Sequence, residues 1–162
     1  MPTITDANRT YKLPTRITAD QLIALACDIL AGRHQVGAEV PDPVATKQLL
    51  QLRIGDKDRE VVHALFLDSR RRILHEETLF LGTISSSPIF PRIVVRAAMA
   101  CNATCCIIGH NHVRDHAYAT GADVEITREL RKALELVDVR LLDHIVVSRT
   151  DAVSIAERGL LL

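Results

Sequence analysis

Residues 61–67 read Val-Val-His-Ala-Leu-Phe-Leu, a run nearly continuous in apolar side chains. A β-strand covered on both faces has this composition, so the chain must supply material to lie on either side of it. Asp68-Ser69-Arg70 makes a turn, and Arg72 to Thr83 returns as a second strand. Upstream, Thr18 and Gln21 have capping-box spacing, and Leu22, Ile23, Ala26, Ile29 and Leu30 continue a helix that Gly32 ends. A polar link from Gly32 to Pro41 leads to a second short helix, with Asp42 as cap, Pro43 in the first turn, and Leu49 and Leu50 on the apolar side.

Downstream, Ser85 to Pro88 is a loop, and Pro91 begins a helix running through Val94, Val95, Ala98 and Met99 to about Cys101. Cys105 to Gly109 reads as a short buried strand ending at His110, and residues 111–119 as a polar loop. An amphipathic helix follows from Gly121 to Val137, with Ile126, Leu130, Ala133, Leu134 and Val137 at helical spacing. Val139 to Ser148 and Ala152 to Ile155 are the last strands. This order predicts one α/β (mixed α+β) domain over residues 18–162, preceded by an extended N-terminal arm over residues 1–17.

The length of 162 residues suits a single core, and an apolar share of 48% with 25% charged residues excludes disorder. Twenty basic and twenty acidic residues cancel, so the bulk electrostatic signature of a nonspecific nucleic-acid binder is absent. The start, Met1-Pro2-Thr3-Ile4-Thr5-Asp6, lacks the pattern of a signal peptide, and no apolar stretch approaches the roughly 20 residues that span a bilayer. A soluble, cytoplasmic protein is expected. Cys27, Cys101, Cys105 and Cys106 form no C-x-x-C pair and read as buried free thiols of a reducing compartment. If Cys105 and Cys106 lie on a strand, they face opposite sides.

The chemistry concentrates in His110-Asn111-His112 and Asp123. Two histidines at i and i+2 on extended chain point the same way, about 7 Å apart along the backbone, and can converge on one ion. A carboxylate from the first turn of the next helix supplies a third ligand. Two neutral nitrogens and one oxygen suit zinc and leave a position open for water, whose pKa zinc lowers to about 7. Such a site also needs a base. Periodicity does not select one among twenty acids, although Glu60 at the start of the buried strand is a candidate.

The arrangement resembles the JAMM (MPN+) metallohydrolase motif: a glutamate on an early strand, then H-x-H, seven residues, Ser, two residues, Asp. Here Thr120 occupies the serine position and Asp123 falls in register. More closely, the chain is similar to the JAB domain of the bacterial RadC family. The similarity lies in Glu60-Val-Val-His-Ala-Leu-Phe-Leu-Asp68, Leu79-Phe80-Leu81-Gly82-Thr83, Pro91-Arg92, Gly109-His110-Asn111-His112, Leu141-Leu142-Asp143-His144 and Glu157-Arg158-Gly159-Leu160. The resemblance runs from about residue 18 to the end. It implies a curved mixed sheet flanked by helices, the MPN/JAB architecture of cytidine-deaminase-like type. It implies one zinc held by His110, His112 and Asp123, with Glu60 as general base and then proton donor to a leaving amine. Thr120 would take the serine's role of stabilising an oxyanion. The implied reaction is hydrolysis of a peptide or isopeptide bond.

The loop departs from the family pattern. Val113-Arg114-Asp115-His116-Ala117-Tyr118-Ala119 keeps the length but lacks the usual Pro-Ser-Gly-Asp-Pro, and Ile93 replaces a common Glu. His116 reads either as an extra ligand or substrate contact, or as an exposed loop histidine. Thr120 and Asp123 also fit a capping box that opens the long helix. His144 reads as a hydrogen-bonded structural histidine or as support for the metal ligands. Arg70-Arg71-Arg72 reads as a solvated turn. Two other functions compete with hydrolysis: a non-catalytic binding module on the same fold, and a DNA repair or recombination accessory factor, as the family name suggests. Oligomeric state and substrate identity have no signature in the chain.

Overall fold

The computed structural model describes residues 3–6, 9–12, 16–23, 25–26, 39–40, 42–83, 88–113 and 116–161. Thr3–Asp6 (β1) and Arg9–Lys12 (β2) pair antiparallel, Thr3 opposite Lys12, as a separate two-stranded sheet. The sequence predicts extended chain here but gives no sign of the pairing. The first helix, α1, covers residues 19–23 and 25–26, and Thr18 and Gln21 exchange the two bonds of the capping box. Its expected end at Gly32 lies outside the described residues. The next helix, α2, spans Pro43–Ile54, longer than the short helix expected, with the Asp42 side chain accepting from the Ala45 N–H.

The body of the domain is a five-stranded mixed sheet. Val61–Leu67 (β3), Ile73–Leu81 (β4), Cys105–Asn111 (β5), Arg140–Val147 (β6) and Ala152–Ser154 (β7) lie in the order β4-β3-β5-β6-β7. Neighbours are antiparallel except β5 and β6, which run parallel. That parallel pair requires a crossover, and Gly121–Glu135 (α4) provides it. Pro91–Ala100 (α3) is the remaining helix among the described residues.

The sheet separates two apolar layers. On one side Leu49, Leu50 and Ile54 of α2 pack with Val61, Leu65, Leu67, Cys105, Ile107, Ile145 and Val147. On the other, Val94 and Ala98 of α3 and Leu130 and Leu134 of α4 pack with Val62, Ala64, Phe66, Cys106 and Ile108. Every residue of β3 is buried, as the apolar run requires, and Cys105 and Cys106 fall on opposite faces. Cys101, Cys105 and Cys106 are unpaired thiols, and burial pushes Cys106 up to about 12, which makes it chemically inert. No described helix is long and apolar enough to cross a membrane.

Candidate metal centre

β5 runs two residues past Gly109, because His110 pairs with both β3 and β6 and Asn111 pairs with Val147 of β6. His110 lies opposite Val62 of β3 and Val146 of β6 and shares the α4 face of the sheet with Ile108. His112 follows the strand, but its N–H still bonds the Val147 carbonyl at 2.8 Å, so extended geometry persists across both histidines. The two imidazoles therefore project to the same side. Their Nε2 atoms lie 3.0 Å apart, and the rings are tilted by 57°.

The third group arrives with the crossover helix. Thr120 caps α4: its Oγ1 accepts from the Asp123 N–H at 3.1 Å, and the Asp123 carboxylate accepts from the Thr120 N–H at 2.7 Å. The Thr120 hydroxyl also donates to Asp123 Oδ2 at 2.7 Å. Held this way, Asp123 directs Oδ1 to 3.2 Å from His110 Nε2 and Oδ2 to 3.6 Å from His112 Nε2. Ligand atoms from His110, His112 and Asp123 all lie within 4.8 Å of one another.

The electrostatics suit a cation. Burial alone would raise the Asp123 pKa, but hydrogen bonding and charge from His110, with the Thr120 bonds, hold it well below the usual carboxylate range. Burial, aided by the neighbouring His110, pushes His112 below an ordinary histidine despite the opposing pull of Asp123. At neutral pH the pocket thus presents an ionised carboxylate and a neutral imidazole, the forms that bind metal.

Glu60 sits one residue before β3, half-buried, with its backbone bonded to Thr83 and Gly82 at 2.8 Å each. Strand alternation carried one step back from β3 would turn its side chain to the face of Val62, which lies opposite His110. Asn111, fully buried, clamps the chain on both sides of Glu60. Its Oδ1 accepts from the Val61 N–H at 2.6 Å, and its Nδ2 donates to the Arg59 carbonyl at 3.0 Å. Nothing in the sequence assigned Asn111 that role.

The remaining candidates are distributed as follows. His116 is exposed and pairs through Nδ1 with Asp151 at 3.1 Å; it lies outside the group of three. Tyr118 meets the His112 ring edge-on, with centroids 5.2 Å apart, a contact that sequence reasoning missed. His144, expected to be hydrogen-bonded, has His110 itself as its partner, Nε2 to Nδ1 at 2.8 Å. On its far side His144 Nδ1 meets Thr127 Oγ1 at 2.5 Å. Complete burial pushes His144 down to about 3, so it is neutral. Asp143 turns elsewhere, accepting from Ser154 and from the Ala156 N–H.

A mixed sheet between helices, two histidines leaving a central strand and a carboxylate on the first turn of the crossover helix together define a domain of the JAB class. The comparisons agree: residues 40–160 match the RadC-like JAB domain, and the chain belongs to that family. It is 47% identical over 140 residues to a UPF0758 protein of Stenotrophomonas maltophilia (strain K279a), covering 86% of this chain and 60% of that protein. It is 44% identical over 140 residues to a UPF0758 protein of Methylibium petroleiphilum, covering 86% of this chain and 63% of the relative. The chain thus spans about three fifths of the length of these two relatives. A UPF0758 protein of Vibrio cholerae serotype O1 is 38% identical over 149 residues, with 92% of this chain and 94% of the relative covered.

Proposed function

We propose that this chain is a zinc-dependent hydrolase of JAMM type that cleaves an amide bond, in a peptide or an isopeptide. The observation that carries the reading is the convergence of His110, His112 and Asp123 within 4.8 Å of one another. Two nitrogens and one oxygen form a donor set that zinc accepts in four-coordinate sites with one position open. Zinc held there supplies Lewis acidity and brings the pKa of a water it holds to about 7.

The protein's own groups would do the rest. Glu60 takes the proton of the attacking water and returns it to the leaving amine, and the Asn111 clamp keeps that end of β3 fixed. Thr120 fixes the Asp123 carboxylate with its single hydroxyl hydrogen, and the same hydroxyl would serve an oxyanion by exchanging that bond for one to the substrate. The substrate would enter past Tyr118, which is exposed beside His112. Unpaired Cys101, Cys105 and Cys106 favour the cytoplasm as the working compartment.

The test is a paired substitution. Protein purified without chelator should carry about one zinc per chain, and His112→Ala should lose most of it. Glu60→Gln should retain the zinc while hydrolysis of amide and isopeptide substrates falls by about 10²- to 10⁴-fold. Zinc retained by His112→Ala, or full turnover by Glu60→Gln, contradicts the proposal.

A further inference from the structure

His110 Nδ1, His144, Thr127 and the main chain of Asp123 form one continuous hydrogen-bonded path. His110 Nδ1 lies 2.8 Å from His144 Nε2, and His144 Nδ1 lies 2.5 Å from Thr127 Oγ1. Thr127 Oγ1 lies 2.5 Å from the Asp123 carbonyl oxygen. The path starts on one member of the candidate metal group and ends on the backbone of another. His144 and Thr127 are completely buried, so no solvent stands ready to replace a missing partner.

We infer that His144 is a positioning residue, which fixes the ring of His110 with its Nε2 lone pair turned toward the metal pocket, with Thr127 fixing His144 in turn. The inference rests on the zinc-hydrolase reading and deepens it. A neutral imidazole carries one proton, on one nitrogen or the other. For His110 to offer Nε2 to a metal, its proton must sit on Nδ1, and His144 Nε2 must accept it. His144 then carries its own proton on Nδ1, which Thr127 Oγ1 accepts. The Thr127 hydroxyl is free to accept because its hydrogen goes to the Asp123 carbonyl, the acceptor four residues back along α4. Every group is used once, and all donate in the same direction.

The opposite polarity has a different consequence. If Thr127 donated to His144 Nδ1, the His144 proton would move to Nε2 and point at His110. The His110 proton would then occupy Nε2 and face Asp123 Oδ1, 3.2 Å away, closing the pocket to a metal. The Asp123 carbonyl, by taking the Thr127 hydrogen, selects the polarity that leaves the pocket open. Metal-binding histidines characteristically hand their second ring N–H to a neighbouring acceptor, and removing that acceptor weakens metal affinity by about 10- to 100-fold. Here the acceptor is a third histidine, 34 residues away along the chain.

The test reads protons and affinity separately. In zinc-loaded wild-type protein with ¹⁵N-labelled histidine rings, protons are expected on Nδ1 of His110 and of His144, with a coupling between His110 Nδ1 and His144 Nε2. A proton on His144 Nε2 in that sample overturns the inference, and this spectrum needs no variant that might misfold. By chelator competition, His144→Leu should weaken zinc binding about 10- to 100-fold. His144→Gln, whose side-chain oxygen can accept from His110, should recover most of the loss, whereas a purely space-filling role predicts no such rescue. Thr127→Val should weaken zinc binding in the same direction. Wild-type zinc affinity in His144→Leu, or equal losses in Leu and Gln, contradicts the inference alone. A wild-type chain that takes up no zinc contradicts the hydrolase reading and the inference with it.

Discussion

Thr120 spends one hydroxyl on two tasks, closing the first turn of α4 and steadying the carboxylate of Asp123. The tasks separate by substitution. Thr120→Ala removes the cap acceptor and one of the donors to Asp123, which should cost about 1 kcal/mol in urea unfolding and weaken zinc binding. Thr120→Ser keeps the hydroxyl, should hold both properties near wild type, and relaxes the χ1 restriction that the methyl imposes. Equal behaviour of Ala and Ser would show that the cap does not govern Asp123. Asn111 works on the neighbouring strand in a similar way. Asn111→Ala would leave the Val61 N–H and the Arg59 carbonyl without their present partner, a loss of about 1–3 kcal/mol per group that stays buried.

At the scale of elements, the strand that carries His110 and leads into His112 is braced from behind. A Cβ on Gly109 would meet the Leu50 branch of α2 at 2.8–2.9 Å, so the helix has moved in as far as a glycine allows. Leu50 is fully buried and has little room to swing away, so Gly109→Ala should destabilise the protein by about 1–3 kcal/mol, read from its urea midpoint. An unchanged midpoint would mean that α2 yields freely.

Much at this scale was legible in the sequence. The apolar run at 61–67 declared a doubly covered strand, and Thr120 with Asp123 declared the start of α4, because these signals are local. The H-x-H pair and Asp123 were legible through spacing and family resemblance. The partnership of His144 with His110 was not. It depends on the parallel register that sets Ile108 opposite His144 and His110 opposite Val146, which no local pattern encodes. Thr127 was invisible for the same reason, since a threonine inside a helix carries no sign of what lies across from it. The β1–β2 pairing was missed because Thr3–Asp6 and Arg9–Lys12 are short and lack the alternation of a half-buried hairpin.

Over the whole molecule, two helical layers and a mixed sheet bury a neutral histidine, His144, directly behind His110 of the candidate metal group. His110, His112 and Asp123 are the titratable groups that act on His144; the two histidines oppose its protonation and Asp123 favours it, but burial dominates. The folded His144 pKa, about 3, lies below the unfolded value of about 6.5, so the unfolded chain takes up a proton that the native state refuses. Its contribution is fully present above about pH 6.5 and is lost as pH falls toward 3, at about 1.4 kcal/mol per pH unit. Chelator-treated protein should therefore lose about 2 kcal/mol of stability between pH 7 and pH 5 through this residue, and His144→Gln should lack that part of the slope. A wild-type urea midpoint that stays level over this range contradicts the assignment.

The central claim is geometric: two imidazoles and a helix-start carboxylate enclose one ion, with an acid from another strand beside its open position. A crystal of zinc-soaked protein, with anomalous data collected at the zinc edge, tests it most directly. One strong peak is expected, coordinated by His110 Nε2, His112 Nε2 and Asp123, with the Glu60 carboxylate within hydrogen-bonding reach of the fourth position. A peak elsewhere, or Glu60 turned away from the ion, would contradict the account.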